Sequence, residues 1–495
     1  MNSFARSPLF RSPAANSCLL ALAILASPRG ACAVPFSIQG PGVNPKHFRL
    51  TTFASGLNFP LGMAELSDGS LLVAVSDGVS FWSSTGKLIR LTDTDQNGIA
   101  DGPGTVLFSG LPGGQTSLRV SGKLVFVTGQ GRGHPISILR MGKTPADPLN
   151  LVGQINVNYP SGGWLHPHSA LGIRATPGQP GSCDLLFQLG SEANFAVTAR
   201  QATLSSPTIA GATGVLEGES IYRLTIIDQT NSVIASDLTR LASGLRNPAG
   251  FAFHPRTGDL YFEDNGIDGL VDANEPFSAD ELNRIPASNI GGAVVENFGF
   301  PSTYISYRSG IAVGNKGLPP LVAFQPVPDP RTGEESEGPN DIAFAPPDFP
   351  DGLKNGIFVT FHGKFNSGGL NNEENPLVYV DLATMDYFHF IPARLAGIGH
   401  LDGLLPTQDS LFVADLCANG NLSGGGGQGV IYQIRSVVLP PLEWRWADGA
   451  LQLVWPRGVL QEAIGVTGPW NDLPDARSPY PVTPASPRKF HRARN

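Results

Sequence analysis

The chain has 495 residues and a formal net charge of −8, because 41 Asp and Glu outnumber 33 Lys and Arg. Charged residues make up only 15% of it, which excludes a highly charged disordered chain, and the acidic balance argues against a general nucleic-acid binder. The 60 Gly and 43 Pro are typical of a fold with many turns, and the length is sufficient to bury a large core.

Residues 1–33 have the parts of an export signal: a positive start, a short apolar run over 18–26 and a small-x-small cleavage pattern. The apolar run is too short to span a bilayer, and cleavage would make Val34 the first mature residue. A lipoprotein signal at Cys32 is an alternative, disfavoured by an arginine where an aliphatic residue is expected. We expect a secreted or periplasmic protein with no integral membrane segment after signal removal.

Two cysteines, Cys183 and Cys417, remain after removal of the signal. They have the right number for one disulfide in an oxidising compartment, but two separately buried thiols fit the sequence equally well. Two cysteines are too few for a metal site built on cysteine.

A pattern of an apolar strand, a turn and a second β-forming strand occurs six times along the chain. Such units cannot bury both faces alone, and radial stacking covers them. We therefore predict an all-β fold, a six-bladed β-propeller over 34–437; two stacked β-sandwiches are the alternative. Long insertions near 191–217 and 286–337 would form loops on one rim. The six copies are 59–75, 115–129, 168–190, 247–264, 339–361 and 400–415.

The composition changes after residue 437, and residues 438–495 are predicted to be a linker (Leu439 to Pro441) followed by a small β module. Four of the six Trp lie there, and alternating residues predict a hairpin that turns at Asp448-Gly449. The tryptophans are suited to stacking on carbohydrate; core packing or a spacer role is the alternative.

Polar residues stand at the start of the innermost strand of several repeats, where a propeller has its central funnel. Because each repeat contributes from a different direction, these residues form a candidate site. They are Gln115, His168, Arg246, Asn247, Asn340, Asp341, His400 and Asp402.

His168 is the candidate general base, because an imidazole can take a proton from a substrate hydroxyl near neutral pH. A structural histidine bonded to nearby backbone is the alternative, and His166 competes for the same role. Arg246 suits a carboxylate- or quinone-bearing ligand or a developing oxyanion, or else a salt bridge within its repeat.

Two acidic segments are candidate calcium sites. The turn over 263–268 and the Asp-Glu pair at 280–281 are rich in oxygen ligands, although solvated acidic turns look the same. A second segment, 93–104, places oxygen ligands at EF-hand spacing with Gly at the sixth position, but its twelfth residue is Gly, so an ordinary Asn-Gly turn is the alternative. Its ligands would be Asp93, Asp95, Asn97 and Asp101.

The segments GLRNPAGFAFHPRTGDLYFEDNGID, ADELNRI and ENFGFP, in this order, resemble the soluble quinoprotein glucose/sorbosone dehydrogenase family. The segment NGIFVTFHGKFN is similar to the sorbosone dehydrogenase branch. The resemblance covers roughly residues 48–436 and is most specific over 244–301. It implies a six-bladed propeller that holds pyrroloquinoline quinone (PQQ) with Ca²⁺ in its funnel.

The resemblance also implies roles for individual residues. His168 matches the general base and Arg246 a catalytic arginine. Gln115, Asn247 and Lys364 match cofactor contacts, and the backbone carbonyls of Gly266 and Ile267 match ligands of the catalytic Ca²⁺. The sequence departs from the family at Ile267, often Pro in relatives, and at His400-Leu-Asp402, where basic residues are frequent.

The implied activity is oxidation of a sugar or other alcohol, with hydride transfer to PQQ and later electron transfer to an acceptor. Two other functions remain open at this point. One is a non-catalytic propeller that binds carbohydrate or protein through its rim loops. The other is a calcium-dependent lactonase, with ligands drawn from Asn340, Asp341 and Asp402.

Overall fold

The computed structural model describes residues 33–229, 232–271, 275–292, 294–438, 442–447, 449–456, 458–482 and 488–494. The predicted export signal (apart from Ala33), the linker at 439–441 and the turn residue Asp448 lie outside the described residues. Among the described residues, no helix is long and apolar enough to cross a membrane.

The described residues form antiparallel β-sheets and contain no α-helix. Four short 3-10 helices lie in connections, at Pro45–His47, Ala287–Asn289, Asp351–Leu353 and Gly369–Asn371. The all-β prediction is therefore confirmed.

Six sheets of four or more strands follow one another along the chain. The first contains β2 (Met63–Glu65), β3 (Leu71–Ser76), β4 (Gly86–Leu91) and β5 (Thr105–Leu111). The second contains β6 (Gln115–Ser121), β7 (Leu124–Gly129), β8 (Ile136–Arg140) and β9 (Asn150–Asn158), extended by a hairpin of β12 (Gln201–Ser205) and β13 (Gly214–Glu217).

The third sheet contains β10 (Leu171–Ala175), β11 (Ser182–Leu189), β14 (Ser220–Asp228), β15 (Val233–Ser243) and the short parallel β19 (Glu296–Asn297). The fourth contains β16 (Pro248–Phe253), β17 (Leu260–Asp264), β18 (Asp280–Ile285) and β22 (Val322–Phe324). In the chain between β19 and β22, β20 (Tyr304–Ile305) and β21 (Ala312–Val313) pair as a small hairpin.

The fifth sheet contains β23 (Pro339–Phe344), β24 (Gly356–Phe361), β25 (Leu377–Asp381) and β26 (Tyr387–Ile391). The sixth contains β27 (Leu401–Pro406), β28 (Ser410–Asp415) and β29 (Gly429–Ser436), and its outer strand is β1 (Phe48–Leu57) from the start of the described chain. The register places Phe48 opposite Ser436, so the two ends of the six-sheet region pair directly.

The first strands of the six sheets contact each other in cyclic order, and β27 returns to β2. All six of these strands line one cavity of about 610 Å³ on the common axis. The six largest hydrophobic clusters lie between successive sheets, and the cluster between the sixth and first sheets completes the circle. Each sheet therefore buries both faces against its neighbours, which is why the second strands are buried almost throughout.

The insertion over 191–217 has two parts. Its first residues cross the rim toward the fourth sheet, and its second part forms the β12–β13 hairpin on the outside of the second sheet. The insertion over 286–337 contains the β20–β21 hairpin and ends at β23. Both insertions bring polar residues to the same end of the axis, as described below.

The C-terminal residues form two small three-stranded sheets. One contains β30 (Glu443–Ala447), β31 (Ala450–Val454) and β34 (Tyr480–Val482), and the other contains β32 (Val459–Ala463), β33 (Asn471–Asp472) and β35 (Phe490–Arg494). Trp455 is buried in their shared core, whereas Trp444 and Trp446 are 71% and 70% exposed. Core packing therefore explains Trp455, but it does not explain Trp444 and Trp446.

Cys183 and Cys417 are both buried and both free. Cys183 lies between the second and third sheets, and Cys417 lies near the axis after β28. The structure therefore supports two separate thiols, the second of the two possibilities left open by the sequence.

Candidate functional site

A cavity of about 300 Å³ opens on the axis at the end where the first strands begin; we call it the funnel. Side chains from near the start of every first strand reach its wall, so all six sheets contribute. These residues are Leu61, Thr116, Ser169, Asn247, Asn340 and Asp402. The six sheets thus share one cavity, but of the eight predicted residues only Asn247, Asn340 and Asp402 line it, and His400 is among those that do not.

His166 lies in the funnel wall. Its backbone is held against the end of β11, because its N–H donates to the Ser191 carbonyl at 3.1 Å and its carbonyl accepts from Gly190 at 3.1 Å. The buried ring atom Nε2 has no hydrogen-bond partner among the described residues. Burial and the nearby Arg246 charge lower the pKa of His166 to about 3. The imidazole is therefore neutral at pH 7, and its Nε2 is left open to a ligand in the funnel.

His168 does not line the funnel, which corrects the predicted base. The residue is fully buried, and its Nδ1 and Nε2 lie 2.9 Å from the Tyr159 hydroxyl and the His134 carbonyl, respectively. Nε2–H donates to that carbonyl, so Nδ1 accepts from Tyr159. With both ring nitrogens engaged in the protein, His168 has a structural role, and His166 takes its place as the candidate base.

Arg246 lies behind the wall, only 2% exposed, and all three nitrogens of its guanidinium donate to the protein. It donates to Asn194 through Nε and Nη2 and to the Asn265 carbonyl, and Nη2 lies 2.5 Å from Asp268. Asn194 belongs to the first insertion, so a rim loop orients the arginine. Asn247, the next residue, lines the funnel itself.

Gly266 and Ile267 sit beside Arg246 at the edge of the funnel. A Cβ at Gly266 would lie 2.4 Å from the Ser278 carbonyl, so only glycine fits there. The Ile267 carbonyl accepts from the N–H groups of Phe277 and Ser278, at 2.8 and 3.2 Å. Both lone pairs of that oxygen are used, so the predicted metal role of Ile267 is not supported; Gly266 remains the candidate carbonyl ligand.

Gln115 and Lys364, two predicted cofactor contacts, are absent from the wall of the funnel. The Gln115 amide donates to the Pro112 carbonyl, and its neighbour Thr116 faces the cavity instead. The Lys364 ammonium pairs with Glu373 and lies 3.9 Å from Glu374, whereas its neighbours Gly363 and Phe365 line the funnel.

His362 and Asp402 form an ion pair in the wall that the sequence argument did not identify as a pair. His362 Nδ1 lies 2.7 Å from Asp402 Oδ2, and the His362 ring stacks on His400 with centroids 3.8 Å apart. Burial opposes protonation, but attraction to Asp402 raises the pKa of His362 above its ordinary value. The FHG segment matches the family in sequence, but it does not indicate a partner 40 residues away.

Asn340 and Asp402 line the funnel, but Asp341 does not. Asp341 Oδ1 lies 3.0 Å from Arg119, and its Oδ2 accepts from the Leu404 N–H at 3.2 Å. Of the three residues considered as lactonase ligands, two therefore line the funnel and the third, Asp341, binds elsewhere.

Aromatic side chains form one side of the funnel mouth. Phe365 lines the cavity with 60% of its surface exposed, and Trp82 packs against it with ring centroids 5.7 Å apart. Phe81 continues this surface inward. Such a wall suits stacking against a planar ring or the C–H face of a sugar.

The predicted EF-hand-like loop brings its acids together away from the funnel. Asp93, Asp95 and Asp101 each place a carboxylate oxygen within 4.8 Å of the other two. Asp95 and Asn97 each accept from the N–H two residues on, at 3.2 and 2.8 Å, which is the pattern of ordinary Asx turns. Calcium binding there stays a prediction.

Comparison with known proteins identifies the fold. No family model matches the chain. An uncharacterised protein of Borreliella burgdorferi is 34% identical over 127 residues, which is 26% of this chain and 30% of that protein. The match thus spans less than a third of that relative.

Two solved structures are similar over most of their length. A family AA12 carbohydrate-active enzyme of Trichoderma reesei has a TM-score of 0.52 at 17% identity, covering 82% of this chain and 99% of that one. The holo form of the pyranose dehydrogenase PQQ domain from Coprinopsis cinerea has a TM-score of 0.51 at 16% identity, with the same coverage. At this identity the likeness concerns the fold, and it agrees with the all-β fold implied by the motifs.

Proposed function

We propose that this protein is a PQQ- and calcium-dependent dehydrogenase that oxidises a sugar or another alcohol. One observation carries the proposal: an imidazole with a free Nε2, that of His166, lies beside a buried arginine in the wall of a funnel shared by six sheets. A solved PQQ domain of a pyranose dehydrogenase with a similar fold supports it.

The charges of the funnel are compatible with an anionic planar cofactor accompanied by a divalent cation. Its wall contains two carboxylates, Asp268 and Asp402, and each is paired with a cationic or protonatable partner, Arg246 and His362. Neither carboxylate is thus without a partner, and Ca²⁺ would supply the positive charge that the cofactor carboxylates need. Asn247 and Asn265 offer amides in the same wall.

When bound, PQQ would supply the two-electron acceptor, and the side chains of the chain would orient substrate and handle the proton. His166 Nε2 accepts the hydroxyl proton, because the neutral imidazole has no competing partner. Arg246 places a fixed positive charge close to negative charge that develops in the funnel. Phe365 and Trp82 shield the mouth and hold the apolar face of the substrate.

We interpret the ring of sheets as a six-bladed propeller over residues 34–437, followed by a linker and a small β module over 438–495. Residues 1–33 would be removed on export to the periplasm or the medium, where a tightly bound quinone is independent of diffusible nicotinamide. The electron acceptor is a separate partner that the funnel geometry does not define.

The test compares two neighbouring histidines. Purified protein loaded with PQQ and Ca²⁺ is assayed with a panel of aldoses and a dye acceptor. His166→Ala is expected to lower kcat about 10²- to 10⁴-fold, the usual loss for a general base, while cofactor binding measured by absorbance persists. His168→Ala is expected to lower the Tm, because Tyr159 and the His134 carbonyl lose their buried partner.

The outcomes separate the alternatives. Full activity of His166→Ala would overturn its assignment as the base. A funnel that takes up no quinone, in a protein retained on a glycan column, would replace the dehydrogenase with a carbohydrate-binding propeller. Chelator-sensitive lactone hydrolysis would instead favour a lactonase.

A further inference from the structure

A second group of carboxylates lies beside the funnel, between the fourth and fifth sheets. Glu335, Glu337 and Glu374 each offer one oxygen, and these three atoms lie within 4.8 Å of one another. The first two precede β23 and the third precedes β25, and the Glu337 N–H donates to the Glu374 carbonyl at 3.1 Å. Two separate chain segments are therefore tied together at this cluster.

The cluster has more negative than positive charge. Arg308 donates to Glu335 and also binds Glu275, and Lys364 pairs with Glu373 and lies 3.9 Å from Glu374. Five carboxylates thus share two cations. Glu337 has no cationic partner among the described residues, and its buried Oε1 has no hydrogen-bond partner there. Unpaired charge of this kind is costly in a partly buried site.

Tyr307 provides an independent indication of a missing ligand. The residue is 2% exposed, and its hydroxyl has no hydrogen-bond partner among the described residues. Burial, followed by repulsion from Glu337 and Glu335, raises the pKa of Tyr307, so both carboxylates lie close enough to act on the hydroxyl. A buried hydroxyl without a partner normally indicates an ion or a water beside it.

The geometry points to a divalent cation bound by Glu335, Glu337 and Glu374, with the Tyr307 hydroxyl facing the ion. The donors are all oxygens, and no histidine or cysteine belongs to the group, so the site suits a hard cation of the Ca²⁺ type rather than zinc. This site is distinct from the Asp93 loop and from the Gly266 carbonyl.

The position of the site gives it a structural role next to the funnel. Gly338, which follows Glu337, lines the funnel, and its N–H donates to Asp280 at 2.9 Å. Asp280 in turn accepts from the Gly266 N–H at 2.7 Å. An ion on Glu337 therefore stabilises the segment that connects the cluster to the loop proposed to hold the catalytic calcium.

A shared proton is the competing explanation for the crowded acids. Burial and the neighbouring Glu374 raise the pKa of Glu337 to about 10, and burial raises that of Glu374 to about 7. Without a cation, the cluster would hold protons at neutral pH. Cation binding would displace them, so Ca²⁺ affinity should rise with pH.

The test counts bound Ca²⁺ by equilibrium dialysis, with the quinone-free full chain and at pH 8. An Asp93→Asn/Asp95→Asn background removes the EF-hand-like loop from the count. Glu337→Gln in that background is expected to lose one Ca²⁺ per chain. The matched control is Asp351→Asn, an exposed acid paired only with Lys354, which should lose none.

Two further readouts keep the test decisive if the stoichiometry is ambiguous. In EDTA, Glu337→Gln should change the Tm little, because the Glu337 side chain already carries a proton there, and it should abolish the rise in Tm that Ca²⁺ produces in the parent. Tyr307→Phe, which removes only a hydroxyl, should weaken Tb³⁺ binding about tenfold and reduce tyrosine-sensitised Tb³⁺ emission. An unchanged Ca²⁺ count with an unchanged Ca²⁺-induced rise in Tm would overturn the proposal and leave a proton-sharing cluster.

Discussion

His166 and His168 are separated by one proline, yet their environments differ completely. His166 is joined to the end of β11 by two backbone hydrogen bonds and reaches the funnel, whereas His168 is turned inward onto Tyr159. The sequence identified the right segment and named both histidines. It did not reveal which one faces the axis, because that depends on partners at Tyr159 and Ser191 that no local pattern encodes.

The exposed Phe365 ring at the funnel mouth supports a prediction about substrate binding. Phe365→Ala is expected to raise the KM for a sugar about 3- to 10-fold, since aromatic stacking contributes ~0.5–1.5 kcal/mol. Stability should hardly change, because the side chain is already 60% exposed.

Steady-state kinetics over a range of sugar concentrations measure the effect. Leu370→Ala is the matched control, since Leu370 is similarly exposed nearby but does not line the funnel. Equal KM values for the two variants would remove Phe365 from the substrate site.

At the level of the strands, the repeated pattern predicted the start of four of the six sheets to within one residue. The starts of β6, β16, β23 and β27 lie at or within one residue of the repeat starts at 115, 247, 339 and 400. The strand-turn-strand unit can be recognised in the sequence because it occurs six times. The Arg246–Asn194 contact and the His362–Asp402 pair were not visible, because each joins segments about 40 to 50 residues apart.

The strand β1 is the outer strand of the sixth sheet and joins the two ends of the six-sheet region. We therefore expect its packing to contribute strongly to the free energy of unfolding. Phe53 in β1 is 3% exposed and makes an edge contact with Phe412 of β28, with ring centroids 5.1 Å apart. Phe53→Ala is expected to lower the free energy of unfolding by about 3–5 kcal/mol.

Denaturant unfolding followed by tryptophan fluorescence provides the measurement. Val106→Ala on β5, an exposed position, should change the same free energy by only ~0.5 kcal/mol or less. A similar small change for Phe53→Ala would show that β1 adds little to closure.

For the whole molecule, the buried acids make stability depend on pH. Burial raises the pKa of Asp264 and Asp415 to about 7 and of Glu281 to about 8. Such a group keeps its proton when folded and loses it when unfolded, so stability falls as pH rises toward the folded pKa. The histidines whose pKa is lowered act in the opposite direction, but only below their unfolded pKa of about 6.5.

In EDTA, the Tm is therefore expected to fall between pH 6.5 and pH 8. Calorimetry at a series of pH values measures this, and added Ca²⁺ should reduce the slope because an ion replaces bound protons in the carboxylate cluster. A Tm that rises with pH over this range would contradict the assignment of neutral buried acids.

The pairing of β1 with β29 has a consequence for the order of events in the cell. The strand at residues 48–57 emerges from the ribosome early, but its partner at 429–436 is made almost 400 residues later. Until then the nascent polypeptide has an incomplete circle with an unsatisfied edge at each end, a state that is slow to mature and prone to aggregation. Completion of the sixth sheet would therefore wait for its last strand, and the growing chain would stay loosely folded until that strand is made.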